Sequence, residues 1–372
     1  MPENTVVSTR GHSEAGRRID NRDAARLAEI DPLRDPRWAS FVESDPRSSI
    51  FHTVEWLQAL SRTYGYAPRV FTSSAAGEPL TNGVLFCQVD SWLTGSKLIS
   101  LPFSDHCEPL VNDRTGLMAI LSNINQSRDR RLKYVEIRPR RIEPEADSDW
   151  ASSGQYHFHA IDLRLPIDEL YSRLHKDGMQ RKIRRADREH VVVEKGRSDA
   201  LLREFYRLLL LTRRRHRLPP QPLAWFRNLI ECLGARLAIH VAHVNDQAIG
   251  SIITLRHKRG LVYKYGCSDE RFHSLGAMPR LFWQAIQEAK EENLEEFDLG
   301  RSDENNPGLV RFKDHLGATR TAIRYWQSPR NNVKKASTLN VALKSSVMQG
   351  ILLRLPDRLF RLAGELFYRH AG

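Results

Sequence analysis

The stretch Glu296–Tyr325, EFDLGRSDENNPGLVRFKDHLGATRTAIRY, decides how the rest of the chain is read. A short apolar run ending at Gly300-Arg301 predicts a strand that stops in a polar turn. Pro307 is suited to the first turn of a helix, and Gly317 to its end. Phe312 and Lys313 therefore lie together on a short helix that follows a strand end. A cation and an aromatic ring on a rigid element suit a site where negative charge develops. The same letters also fit an ordinary strand, turn and helix carrying a surface lysine.

Working outward, the preceding residues predict a long helix over 277–293, a strand at LVYKYGC, and strands at RLAIHVAHV and AIGSIITLRH. Before these come helical segments over 222–233, 199–212 and 167–188, and a strand at HFHAIDLRL. Gly250 and Gly266 interrupt two of the strands, which marks either a packing bulge or a sheet splayed to admit another chain. Glu143–Gly154 is acidic and serine-rich and reads as a surface loop. The first half repeats the order: an amphipathic segment from Trp38, the helix FHTVEWLQAL with Thr53 as N-cap, and strands RVFTS, GVLFCQVD and KLISLPF. A helix over 117–126 and a strand YVEIRP complete it. The expected fold is mixed α/β (α+β), two similar halves in tandem, each a central sheet flanked by helices. The divisions are an N-terminal mobile arm (1–35), a first domain (36–155), a second domain carrying the reactive motifs (156–328) and a basic amphipathic tail (329–372).

The chain has 372 residues, enough for two cores, and 41% of them are hydrophobic. No apolar run is long enough to span a bilayer, and the charged first 30 residues lack a signal-peptide core, so a cytoplasmic location is expected. Four scattered cysteines and 14 histidines show no metal-binding spacing, and no metal is expected. With 57 Lys+Arg against 45 Asp+Glu the formal charge is +12, which favours polyanionic partners. The charge is concentrated at Arg181–Arg185, at Arg213–Arg217 and in the tail.

Several motifs, taken in order, resemble the FemAB-like and BioF-like acetyltransferases of the GNAT superfamily. They are Phe51-His52-Thr53 with Trp56, Thr63–Tyr66, Leu101–Asp105, Met179–Arg184, Arg213–His216, Ala248–Ser251, Lys264–Gly266 and the Gly300-Arg301, Phe312-Lys313 and Gly317 series. The resemblance implies tandem GNAT-like domains that form an amide by transferring an acyl or aminoacyl group to an amine, with the substrate channel near the domain junction. It implies acyl-CoA or aminoacyl-tRNA as donor. Its acceptor would be a nucleotide-linked or lipid-linked precursor of the cell envelope, peptidoglycan or an exopolysaccharide. The helical-hairpin arm of some tRNA-using relatives has no counterpart here. The usual pyrophosphate loop of GNAT enzymes is reduced to Gly276 before the helix at Ala277.

On this reading Lys313 stabilises the oxyanion and Phe312 positions the donor. Asp105, beside His106, orients the amine or accepts its proton, or is simply a turn residue. Arg181 and Lys182 bind phosphate, or sit on a solvated helix face. Arg213 and His216 lie near a helix end where positive charge is also favoured by the dipole. Tyr265 lines the acceptor channel or belongs to the core, and Arg301 completes the substrate-binding set. The tail offers contact with the inner face of the membrane or docking onto the protein itself. A noncatalytic polyanion-binding or envelope-scaffold protein is the rival reading.

Overall fold

The computed structural model describes residues 27–92, 94–127, 129, 131–145, 149–329 and 354–371. Most of the expected arm (1–26) and the first part of the tail (330–353) lie outside the described residues. Twelve strands form one mixed sheet. In chain order these are β1 (Ala28–Ile30), β2 (Ala67–Thr72), β3 (Val84–Val89), β4 (Ser96–Ser100), β5 (Leu132–Ile137) and β6 (Ala151–Asp162). They continue as β7 (Val192–Gly196), β8 (Leu237–Val244), β9 (Gln247–His257), β10 (Gly260–Ser268), β11 (Glu296–Ser302) and β12 (Thr319–Ser328).

Their spatial order, β1-β2-β3-β4-β5-β12-β6-β11-β10-β9-β8-β7, reveals a duplication. In each half three antiparallel pairings lead to one parallel pairing, β4–β5 in the first and β10–β11 in the second. The halves then exchange their last strands: β6 pairs with β11 and β12 pairs with β5. β6 and β12 run antiparallel at the centre and weld the halves into a continuous sheet. The expected mixed α/β class is what the chain adopts. β6 starts within the segment read as a loop and runs through residue 155. Its opening letters, ASSGQ, carry no apolar alternation that would have marked a strand.

Helices cover both faces. On one face α1 (Pro36–Ser44), α2 (Val54–Tyr64), α6 (Asp199–Arg215) and α7 (Leu223–Leu233) share a core around Trp56, Trp225 and Phe205. Thr53 caps α2 as its sequence predicts, accepting from Trp56 N at 3.3 Å, and Gly65 ends it with φ +73°. On the other face α4 (Ile167–Arg173), α5 (Arg181–Arg188), α8 (Ala277–Glu291) and α9 (Pro307–His315) surround Leu281, Phe282 and Phe297. α3 (Arg114–Ser127) covers β2–β5.

Two expectations are corrected. The helical spacing over 167–188 is broken by a wide turn at Lys176–Gln180. There the His175 and His315 rings stack at 3.9 Å, and a Cβ on Gly178 would lie 2.5 Å from His315 Nδ1. Ala28–Ile30, placed in the expected mobile arm, instead form a strand paired with Val70–Thr72. The tail residues 357–371 form α10 (Asp357–Ala371), which docks on the first face: Phe360 is fully buried and Tyr66 Oη donates to Tyr368 O at 2.8 Å.

Candidate active site

β10 and β11 are parallel neighbours, yet they pair only where Gly260, Leu261 and Val262 face Glu296, Phe297 and Asp298. Beyond that point β10 continues to Ser268 and β11 to Ser302 without pairing to each other. The equivalent strands of the first half, β4 and β5, stay paired to their ends at Ser100 and Ile137. Only the second half therefore contains a gap.

Local irregularities open it. β10 bulges between Tyr263 and Tyr265 against β9, and β11 loses register between Asp298 and Arg301 against β6. Gly300 takes φ +72°, and a Cβ there would lie 2.7 Å from Asp105 Oδ2. Glycine is thus required twice over, by the backbone and by the carboxylate.

Charged side chains from four separate elements meet beside the gap. Lys264, on the bulge, places Nζ 3.4 Å from Asp105 Oδ2, and Arg301 Nε lies 3.8 Å from Oδ1. The Asp105 backbone is held independently: Tyr325 Oη donates to its carbonyl at 2.7 Å, while Arg138 Nη1 donates to Ser104 O at 3.1 Å. Burial would raise the Asp105 pKa, but the charges of Lys264, Arg301 and Lys313 outweigh it and hold the carboxyl below its usual value. The Arg301 guanidinium stacks over the Tyr156 ring at 4.2 Å and the Tyr325 ring at 5.0 Å.

Lys313 is 3% exposed, so the surface-lysine reading fails. α9 is started by Pro307 and by Asn306, whose side chain accepts from Leu309 N at 3.2 Å. The helix directs Lys313 Nζ at the carbonyls of Gly300 (3.0 Å) and Arg301 (2.9 Å). Two of its three N–H groups are thereby used. Burial lowers its pKa to about 8, against the opposing pull of Asp105 and Asp298.

The sequence reading missed a second pair. His106 Nε2 donates to Asp298 Oδ2 at 2.7 Å, and Asp298 Oδ1 accepts from Gly300 N at 2.6 Å. His106 Nδ1 is buried and has no hydrogen-bond partner among the described residues. The ring is wedged edge-on between Phe51 and Phe158, each at 5.5 Å. His106, Asp298, Phe158 and Val262 line a cavity of about 700 Å³ whose wall also carries Arg140 and Lys258. The signal available beforehand was His106 next to Asp105 and Asp298 two residues before Gly300, but 192 residues separate the partners.

The remaining expected residues lie elsewhere. Phe312 packs its ring against Phe282 at 5.4 Å, in the core behind Lys313. Tyr265 is buried, and its hydroxyl accepts from Trp225 Nε1 at 2.7 Å, within the aromatic core of the first face. Arg181 is exposed and paired with Asp177 at 2.9 Å. Lys182 is exposed on α5, and its carbonyl packs against Gly276, at the N-terminus of α8. Arg213 and His216 lie at the C-terminal end of α6; the Arg213 charge acts on Tyr263 and Tyr265, and His216 is exposed. Among the described residues no group of three or more His, Cys, Asp or Glu side chains is arranged to hold a metal ion.

No curated protein matches the sequence. Among solved structures, FemX superposes with a TM-score of 0.62 at 13% identity, over 80% of this chain and 96% of that one. The C-terminal domain (DUF2156) of a putative lysylphosphatidylglycerol synthetase from Agrobacterium fabrum superposes with a TM-score of 0.50 at 12% identity, over 86% of this chain and 95% of that one. At these identities the likeness is one of fold. Residues 173–314, a span that includes the gap, Lys264, Arg301 and Lys313, match the family described as the acetyltransferase (GNAT) domain.

Proposed function

We propose that this protein forms an amide by transferring an acyl group to an amine, at the gap between β10 and β11. The observation that carries this reading is that the two strands separate after Val262 and Asp298, at the place where Asp105, Lys264, Arg301 and Lys313 meet. Unpaired backbone groups along a splayed strand suit an extended donor that carries amides of its own, such as the pantetheine arm of an acyl-CoA. With the division near residue 155, Asp105 and His106 come from the first domain and the cations from the second, which puts the reaction at the junction.

In the proposed reaction the acceptor nitrogen attacks the carbonyl carbon of the donor. The new C–N bond forms, the carbonyl oxygen gains charge, and the bond to the leaving group then breaks. Lys313, fixed by two carbonyls with one N–H to spare, faces that charge. His106 takes the proton of the attacking amine on Nδ1, because Asp298 holds the ring with the other nitrogen as donor. Asp105, kept ionised by its cations, orients those cations and the amine rather than accepting the proton. The cavity beside His106 receives the acceptor, and Arg140 and Lys258 on its wall suit an anionic one.

Arg181 and Lys182, close to the N-terminus of α8, are assigned to donor phosphates, with Arg213 and His216 on the same charged rim. The fold likeness to FemX and to a putative lysylphosphatidylglycerol synthetase supports an envelope precursor as acceptor and keeps aminoacyl donors in the reading. A noncatalytic polyanion binder accounts for the charge but gives no reason for a buried lysine at a splayed strand pair. The deciding experiment is mass spectrometry of purified protein incubated with acyl-CoA or aminoacyl-tRNA donors and a library of amines. Donor-dependent amide formation supports the transferase. Polyanion binding with no product from any donor supports the rival.

A further inference from the structure

Docking consumes only one side of α10. Phe360, Gly364 and Tyr368 face the protein; a Cβ on Gly364 would lie 2.0 Å from Pro220 O, so the helix rests directly on backbone. On the opposite side Leu359, Leu362 and Leu366 are 50%, 50% and 58% exposed. Their spacing of three and four residues makes a single row about 10 Å long. The row does not stop at the helix end. Trp92, on the turn between β3 and β4, packs edge-on against His370 at 5.6 Å, and Thr94 Oγ1 donates to His370 O at 3.2 Å. Trp92 is 86% exposed, whereas the chain's other tryptophans, Trp38, Trp56, Trp150, Trp225, Trp283 and Trp326, are all buried.

A second property of this face identifies its occupant. Arg358 and Arg369 are exposed on the helix turns next to the leucine row, and Arg354 precedes the helix on the same exposed stretch. Of the acidic residues of α10, Asp357 is tied to Arg214 at 2.5 Å, and Glu365 is exposed beside Arg358 and Arg369, so the arginines stand between it and the leucine row. Exposed leucines, an exposed tryptophan at one end and an arginine border form the pattern that enters a headgroup layer. The leucines reach the acyl boundary, indole sits at headgroup level, and guanidinium groups meet lipid phosphates.

We infer that the outer face of α10, together with Trp92, binds the surface of an anionic bilayer. The inference is independent of the reaction. It differs from the general amphipathic reading of the tail by naming which side chains enter the lipid while the helix stays docked on the protein.

The test uses the full-length chain and two vesicle types, phosphatidylcholine alone and an equimolar mixture with phosphatidylglycerol. The protein should sediment with the mixed vesicles and far less with phosphatidylcholine. Trp92 emission should shift to the blue and be quenched by brominated lipid, and both signals should vanish in Trp92→Phe. Leu362→Glu with Leu366→Glu, at exposed positions that leave the melting temperature unchanged, should weaken binding to mixed vesicles at least about tenfold. Equal binding by the double variant, or no sedimentation with either vesicle, would overturn the inference. So would a dimer in sedimentation velocity that the double variant breaks, because the face would then be occupied by a second copy.

Discussion

Lys313 Nζ donates to the carbonyl of Gly300 at 3.0 Å, so the ammonium that faces the proposed oxyanion also braces the irregular backbone of β11. Two carbonyls depend on it, and the amine cannot be removed without taking away their side-chain donor. Lys313→Met should lower turnover by about 100-fold or more, and should also lower stability by about 1–3 kcal/mol. Denaturant titration beside a transfer assay checks both. A variant that stays stable and active would remove Lys313 from the site.

The lowered pKa of Lys313, about 8, gives a pH dependence with a definite sign. The charged form is the one that meets an oxyanion, so kcat/KM should fall as pH rises through about 8. Arginine keeps its charge, so any residual activity of Lys313→Arg should lack this descending limb. For stability the sign is reversed. Between about 8 and the ordinary lysine value the unfolded chain holds a proton that the native chain has lost, and Lys313 then adds stability as pH rises. A limb that persists unchanged in Lys313→Arg would place its origin in another group.

His106 and Asp298 make a separate case. Asp298→Asn keeps the shape but no longer forces His106 to donate from Nε2, so Nδ1 is no longer reserved as an acceptor. Turnover should fall by about two to four orders of magnitude with little change in KM. His106→Gly should recover part of its activity with added imidazole, a response that a purely structural histidine would not give. Failure of imidazole to raise the rate in a folded variant would count against proton transfer by His106.

These predictions draw unequally on what the chain's letters disclose. Thr53, Gly65 and Pro307 act locally, so the helix ends they set were readable. The strands of β-branched and aromatic residues were readable for the same reason. Arg301, Lys313 and Asp105 could be nominated because each sits beside a strand end or a turn. What could not be read depends on pairing at long range. The exchange of β6 and β12 between halves leaves no mark on either strand, and Lys264 reaches Asp105 because a bulge turns it there. Tyr265 shows the opposite failure, since its position beside Gly266 suggested a channel while its hydroxyl serves Trp225.

Tyr265→Phe therefore tests structure rather than chemistry. Loss of the hydroxyl leaves the buried Trp225 Nε1 without its acceptor, which should cost about 1–3 kcal/mol. Turnover per folded molecule should stay near that of the unaltered protein. A large change in KM with unchanged stability would return Tyr265 to the acceptor channel.

The last prediction concerns the end of the chain. Docking of α10 covers Tyr66 and Phe103: Tyr66 Oη donates to Tyr368 O at 2.8 Å, and the Phe103 and Tyr368 rings lie 5.6 Å apart. Arg214 adds a stacking contact over Phe360 at 4.5 Å. A chain ending at residue 353 would expose this surface and lose the burial of Phe360 and Tyr368, each worth about 1.5–3 kcal/mol. It should melt several degrees lower than the full chain, bind more of a hydrophobic dye, and lose vesicle binding at the same time. Leu362→Glu with Leu366→Glu separates the two roles, since it should abolish lipid binding alone. An unaltered melting temperature for the shortened chain would mean that α10 contributes nothing to the fold, and the buried contacts of Phe360 and Tyr368 would have to be discarded as a source of stability.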